Sequence, residues 1–474
     1  MIKQSNNKRF TQAKGAVLFP IYEDNIVNSN LTESLGFDLD KTINKKHGAI
    51  TKINTLGKLS FDNIYFLGLG SLEKCTEASL KDAFAKASKD IDETNLSVNL
   101  EDALCDSFTI EDISSYFTEA NILANYSYKD LGKEDNTIYE LISTTNIETG
   151  INNGTIVANA INNARTLANK PSNQLNPLDI SEYAKNLFKD ENVEIDILGN
   201  KELKKIGAGG ILGVNQGSDT EAQLIVLKYN NDKDANYTAL VGKGVTFDTG
   251  GYSLKPSLSM VNMKTDMHGA ASVLSAFEVI VKKKLKANVY CIVPTTENMV
   301  NGMAYKPDDV LTTLSGKTVE ITNTDAEGRL ILADALTYTQ TLGVKKIIDV
   351  ATLTGACVVA LGGLHSGVWA NDDTFYNKLS NAASNAHEAV WRMPIDDVFT
   401  DVLKSSVVAD IVNSAAPNGG GANVAASFLQ EFIDTDTQWV HIDIAGTAST
   451  KAASPLTPKG ATGVMVRTLS NLFE

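Results

Sequence analysis

The sequence predicts an α/β protein: a smaller N-terminal α/β domain, then a larger C-terminal domain built on a doubly wound, largely parallel sheet. Three observations lead there. At 474 residues the chain exceeds what one ordinary hydrophobic core sustains, so two domains are expected. In the later two thirds, apolar runs of strand length alternate with stretches of helical periodicity, the pattern of a sheet covered by helices. Between the halves, residues 158–169 read as a linking helix that Lys170-Pro171-Ser172-Asn173 ends, because proline pushes its predecessor out of the helical region. The expected division is 1–155 and 156–474, with the linking helix at about 156–170.

The N-terminal part offers strand-like runs at Ala16–Ile21, Ile64–Leu69 and Val98–Leu100, and helical stretches at Glu77–Ser88 and Ile110–Ala124. No cluster with ligand spacing marks it. The C-terminal part begins with strand Glu194–Leu198, a helix near Asn200–Lys205 and strand Gln223–Tyr229. Thr238 to Phe247 reads as one buried strand, thinned by Gly242 and Gly244. A helix follows over Gly269–Lys284, with Ala270, Val273, Leu274, Phe277 and Val281 on its apolar stripe, then strand Asn288–Pro294. Strand Thr318–Asn323, helix Leu330–Thr341, strand Lys346–Ala351, helix Val424–Phe432 and strand Val440–Ile444 complete the alternation. In such folds, sites gather beyond the carboxyl ends of the strands.

Composition excludes several classes. With 43% hydrophobic and 21% charged residues, the chain is globular. Its formal charge of -15 argues against nucleic-acid partners, which need Lys and Arg to neutralise phosphates. Cys75, Cys105, Cys291 and Cys357 are scattered, without a CxxC, and read as buried free thiols of a reducing compartment. Residues 1–16 are polar and basic with no apolar core, and no apolar run is long enough to span a bilayer. The expectation is therefore a cytoplasmic protein without membrane contact. The five histidines form no HExxH pair, and no GxSxG elbow is present. Gly207–Gly213 precedes rather than follows a clear strand and misses the dinucleotide spacing; Gly242-Lys243-Gly244 lacks the phosphate-loop frame. Gly419-Gly420-Gly421 reads as a loop at a site rim.

Two segments carry chemistry. Asn323-Thr324-Asp325-Ala326-Glu327-Gly328-Arg329-Leu330 sets two carboxylates and an arginine within five positions. Read as strand–turn–helix, Asp325 and Glu327 project to one side of an extended segment, as hard oxygen ligands for a divalent cation would. Upstream, Val241–Pro256 places Lys243 within a buried strand, where an ammonium is costly unless paired or neutralised. Asp248 stands at that strand's end, and Gly250-Gly251 allows a sharp turn toward Lys255. Asp266 precedes the Gly269 helix. Together these give Lys243, Asp248, Lys255, Asp266, Asp325, Glu327 and Arg329 as candidate site residues.

Those residues lie in motifs that strongly resemble the leucine aminopeptidase family, also called cytosol aminopeptidases. NTDAEGRL (Asn323–Leu330), GKGVTFDTGG (Gly242–Gly251) and SLK (Ser253–Lys255) carry the resemblance. MKTDM (Met263–Met267), ENM–G (Glu297–Gly302), ATLTGA (Ala351–Ala356) and WVHIDIAG (Trp439–Gly446) extend it, in family order, from about Leu167 to the C-terminus. The resemblance implies two divalent cations per subunit, Mn²⁺ or Zn²⁺, with Co²⁺ and Mg²⁺ as further candidates. Lys243, Asp248, Asp266 and Glu327 would hold one, and Asp248, Asp325 and Glu327 the other. It implies Lys255 as the charged lysine that stabilises the attacked carbonyl oxygen. Arg329 would hold bicarbonate, which shuttles a proton to the departing amine. Met263, Thr352, Leu353 and Gly355 resemble the substrate-pocket wall, consistent with leucine-like side chains on peptides with a free N-terminus. Trp439, His441 and Asp443 read as structural support. A homohexamer is likewise implied. His268 departs from the small residue of the family and is expected behind the ligands or facing the cavity. The alternatives are a carboxylate-based two-metal phosphoesterase and a non-enzymatic binding protein.

Overall fold

Apolar runs of strand length and the helical stretches between them build two α/β units, each on a main sheet of its own. A computed structural model describes residues 1–130, 137–417 and 419–474. They divide into one unit of Met1–Asn159 with Ala452–Pro458 and another of Ala160–Lys451 with Lys459–Glu474. The chain is thus a mixed α/β protein with two domains.

The first unit holds a six-stranded sheet ordered β1-β6-β5-β2-β4-β3. Its strands are β1 (Ile2–Gln4), β2 (Ala16–Tyr22), β3 (Ile50–Asn54), β4 (Asn63–Gly70), β5 (Asn95–Asn99) and β6 (Ile138–Ile142). All pairings are parallel except β3 with β4. β2 is buried along its whole length, as a central parallel strand covered on both faces must be. Helices Glu77–Asp90 and Ile110–Ala124 begin at capping boxes set by Thr76 with Ser79 and by Thr109 with Asp112, each satisfying N–H groups left free at a helix start.

In the second unit the main sheet runs β16-β15-β18-β14-β9-β11-β8-β7, with β10 also on β11. Its strands are β7 (Val193–Leu198), β8 (Gln223–Asn230), β9 (Thr238–Gly242), β10 (Gly244–Asp248), β11 (Asn288–Asn298), β14 (Lys346–Ala351), β15 (Ser366–Ala370), β16 (Val390–Arg392) and β18 (Gln438–Asp443). β18, β14, β9 and β11 are mutually parallel, and the antiparallel pairings lie toward the edges. A small separate sheet joins β12 (Val310–Thr312), β13 (Thr318–Glu320) and β17 (Ile411–Val412).

Several boundaries differ from expectation for physical reasons. The helix expected at 158–169 starts at Glu148 and contains the unit boundary. Strand Thr238–Phe247 is two strands, broken at Lys243. β9 pairs with β14 and with the first half of β11, whereas β10 stays on β11 alone. Lys243 therefore sits where the chain leaves β14. Gly209–Asn215 is a helix, hidden in the sequence by glycines that seat it closely: a Cβ on Gly209 would lie 2.0 Å from Thr312 O.

Close backbone approach also fixes the helix His268–Lys282. A Cβ on Gly269 would meet Val350 O of β14 at 2.1 Å, and Ala270 N donates to Lys243 O at 2.8 Å. Only glycine lets the helix start rest on the sheet there. Gly269→Ala should lower thermal stability, overpacking of this kind costing about 1–3 kcal/mol. Gly302→Ala, where a Cβ meets nothing within 4 Å, is the control. Equal melting temperatures for both variants would contradict this packing account.

Candidate metal centre and active site

Parallel register brings the central strands to a common level at their carboxyl ends: Gly242 of β9 pairs with Val350 of β14, and Ala351 of β14 with Asp443 of β18. Lys243, Thr352 and Leu353 follow directly on that level. Lys243 follows β9, and Asp248 ends β10 after an irregularity in its pairing with β11. Gly250 and Gly251 then turn with φ of 86° and 64°. A Cβ on Gly250 would lie 2.7 Å from Asp325 Oδ1, so this turn needs glycine for conformation and for space. Lys255 N donates back to Thr249 O at 2.9 Å, returning the lysine to the mouth of the turn. A single 3₁₀ turn, Met263–Thr265, presents Asp266.

The motif carrying Asp325 and Glu327 is not extended. It turns at Thr324-Asp325, and Glu327 already has helical angles (φ -75°, ψ -39°) as the residue before helix Gly328–Thr341. Turn and helix start nevertheless aim both carboxylates into the same space. Oxygens of Asp248, Asp325 and Glu327 lie within 4.8 Å of one another. A cavity of about 550 Å³ is lined by all seven chemical candidates and by Met263, Thr352, Leu353 and Gly355.

Charge in this cavity is arranged in pairs. Lys243 Nζ lies 2.9 Å from both Asp266 and Glu327, and Lys255 Nζ lies 2.8 Å from Asp248 and 2.5 Å from Asp325. Burial alone would lower both lysines, but the carboxylates of Asp266, Glu327 and Asp248 reverse this for Lys243, and Asp248 and Glu327 do so for Lys255. Both are held charged. The acids show the complementary strain: burial, then repulsion from neighbouring carboxylates, raises Asp266, Asp248 and Asp325 against the pull of the lysines. Four carboxylates against two ammonium groups leave an excess of negative charge.

Two buried oxygens, Asp266 Oδ2 and Asp325 Oδ1, accept no hydrogen bond. Each lies within ion-pair distance of a lysine but outside hydrogen-bond geometry, so electrostatic attraction is its only compensation. Carboxylate oxygens compensated by ion pairs alone, in a negatively charged, oxygen-rich cavity with one amine alongside, fit hard or borderline divalent cations. Arg329 is buried, and desolvation lowers it to about 10, which leaves it charged at neutral pH. Its Nη1 donates to Asn413 O at 2.9 Å, while Nε has no partner.

Sequence reasoning missed the residues that lace these loops together. Asn298, fully buried at the end of β11, donates through Nδ2 to Asp248 Oδ1 at 2.8 Å and to Thr324 O at 3.0 Å. Two acceptors at one atom fix the amide's orientation. Thr324 Oγ1 donates to Gly250 O and accepts from Ser253 N. Asn413 accepts from Thr322 N and donates to Asn323 O. Asn298 lies within the quoted ENM–G motif, but nothing in its spacing signals a role. Asp443 supports the cavity wall, accepting from Leu353 N at 3.1 Å and from Thr354 Oγ1 at 2.7 Å. His441 Nδ1 and Trp439 Nε1 both meet Asp349. His268 does not line the cavity. It is fully buried, neither ring nitrogen has a hydrogen-bond partner, and burial followed by the Arg165 charge pulls it down to about 4.

Comparison with known proteins places the chain. Residues 162–470 match the model of the cytosol aminopeptidase family, catalytic domain, and residues 40–134 that of the family's N-terminal domain. A probable cytosol aminopeptidase of Bacillus subtilis is 40% identical over 466 residues, covering 95% of this chain and 92% of the relative. One of Bacillus licheniformis is 41% identical over 464 residues, with the same coverage. Among solved structures, the bottromycin maturation enzyme BotP superposes with a TM-score of 0.85 at 30% identity, over 97% of this chain and 99% of BotP. BotP in complex with Mn gives 0.86 at the same identity and coverage. The chain belongs to the cytosol aminopeptidase family.

Proposed function

We propose that this aminopeptidase uses two divalent cations, held by Lys243, Asp248, Asp266, Asp325 and Glu327, to release leucine-like residues from peptide N-termini. Family membership makes the protein a hydrolase of N-terminal amino acids. One observation supports the finer reading: four carboxylates and the Lys243 amine converge in the cavity whose wall includes Met263, Thr352, Leu353 and Gly355. The cations would be Mn²⁺ or Zn²⁺, with Co²⁺ or Mg²⁺ as further candidates; BotP, the structural relative, has been solved with Mn. When bound, they supply Lewis-acid polarisation of the scissile carbonyl and a nucleophile from water near neutral pH.

The chain's own residues divide the remaining work. Lys243 could ligate only as the neutral amine, so holding a dication beside Asp266 and Glu327 would require it to give up its ammonium proton. Lys255 remains charged at the other side and places its donor where negative charge develops on the attacked oxygen. Arg329, at the start of helix Gly328–Thr341 and with Nε unpartnered, holds an anion where helix N–H groups also favour one; bicarbonate is the anion we assign. Met263 and Leu353 give the wall its apolar character, suited to an aliphatic side chain. Cytoplasmic residence and a homohexamer rest on the family resemblance. Among the described residues no helix is long and apolar enough to cross a membrane.

Leucine amide should be hydrolysed, chelation should abolish turnover, and Mn²⁺ should restore it. N-acetyl-leucine amide, lacking the free amine, should be inert. Full turnover by verified metal-free protein, or rapid cleavage of the acetylated substrate, would sink the proposal. The hydrogen bond from Asn298 generates a second expectation. Partners behind a metal ligand typically contribute about 10–100-fold in affinity, so Asn298→Ala should weaken Mn²⁺ binding, measured calorimetrically, by that order. Unchanged affinity in a folded variant would mean that Asn298 does not orient Asp248.

A further inference from the structure

We propose that Cys75 and Cys105 of the N-terminal unit form a redox-active dithiol, which closes to an intramolecular disulfide by exchange with a small disulfide such as oxidised glutathione. In the sequence these thiols are 30 positions apart and look unrelated. The sheet brings them together. Cys75 follows the 3₁₀ turn Leu72–Lys74 after β4, and Cys105 follows the 3₁₀ turn Leu100–Ala103 after β5. β4 and β5 lie on either side of β2 and run parallel to it, so both loops emerge at the same end of the sheet and meet over the end of β2.

Tyr22, the last residue of β2, links them. Its hydroxyl donates to Ala103 O at 2.9 Å and lies 3.2 Å from Cys75 Sγ. The two sulfurs are 3.7 Å apart. A disulfide needs about 2.05 Å between sulfurs, so the two loops that carry the thiols must bring them closer for the bond to form. Access separates this pair from the other cysteines: Cys75 and Cys105 are partly exposed, whereas Cys291 and Cys357 are buried. Burial raises the Cys75 thiol, Tyr22 works against that, and Cys105 adds to it.

The chemistry balances with the small disulfide as oxidant. One protein thiolate attacks a glutathione sulfur, forming a mixed disulfide and expelling one glutathione thiolate. The second protein thiolate then attacks the protein-side sulfur and expels the other glutathione. Two protein thiols are oxidised and one small disulfide is reduced to two thiols. The product ties the β4 and β5 loops together and restricts the unfolded chain between them.

The test incubates the full-length native protein with oxidised glutathione, alkylates free thiols, and maps peptides by mass spectrometry. A Cys75–Cys105 peptide lacking two hydrogens is expected, with Cys291 and Cys357 alkylated only after unfolding. Cys105→Ser should stop at a glutathione adduct on Cys75. Stable adducts on the wild-type pair, two unreacted thiols, or linkage to another cysteine would each overturn the proposal, as would an unmodified Cys75 in folded Cys105→Ser. No outcome depends on the chemistry of the active-site cavity.

Discussion

Two lysines, Lys243 buried and Lys255 half-buried, balancing four carboxylates form the constraint on which the catalytic domain's local structure depends. The side chains of Lys243, Asp248, Asp266 and Glu327 are each at most 7% exposed. Withdrawing charges from water costs several kcal/mol per ion, and attraction returns that only with good geometry. The domain supplies that geometry through backbone architecture. β9 breaks at Lys243, the helix His268–Lys282 rests on Lys243 O, and Gly250-Gly251 folds Lys255 back over Asp248. Each is a backbone arrangement that a general α/β sheet does not require. A dication that offsets the surplus negative charge is what the proposed function adds to this arrangement.

The supporting residues make the same point from behind the cavity. Asn298 joins Asp248 to the Asp325 loop, Asn413 joins that loop to Arg329, and Asp443 holds the backbone of Leu353. The ends of β10 and β11 and the start of helix Gly328–Thr341 are thereby tied together through the Asp325 loop, and Asp443 of β18 braces the cavity wall at Leu353. Rigid support of this kind preorganises a site, so that binding and reaction need little reorganisation.

Much of this was legible in the sequence because the informative spacings are local. Asp325, Glu327 and Arg329 sit within one turn, and Lys243, Asp248 and Lys255 within one strand–turn segment, so motif and chemistry coincide. Strand and helix alternation showed the α/β class by periodicity alone. What remained hidden depends on tertiary geometry. Glu327 read as extended because a turn leading directly into a helix has no periodicity of its own. Asn298 looked like an ordinary strand residue, since its partners lie 50 and 26 positions away. Cys75 and Cys105 read as separate buried thiols, because only the sheet order β5-β2-β4 brings their loops together. The Gly209–Asn215 helix was masked by glycines whose purpose is close packing.

The proposed function gives the two ion-paired lysines different jobs, Lys243 as a metal ligand and Lys255 as a charged donor that is not one. Counting bound cations in folded Lys243→Ala and Lys255→Ala proteins, by elemental mass spectrometry after Mn²⁺ loading and desalting, tests this most directly. The account predicts two cations retained in Lys255→Ala, with kcat lowered by about 10²–10³, and fewer than two in Lys243→Ala. Loss of cation from Lys255→Ala with both retained in Lys243→Ala would contradict it.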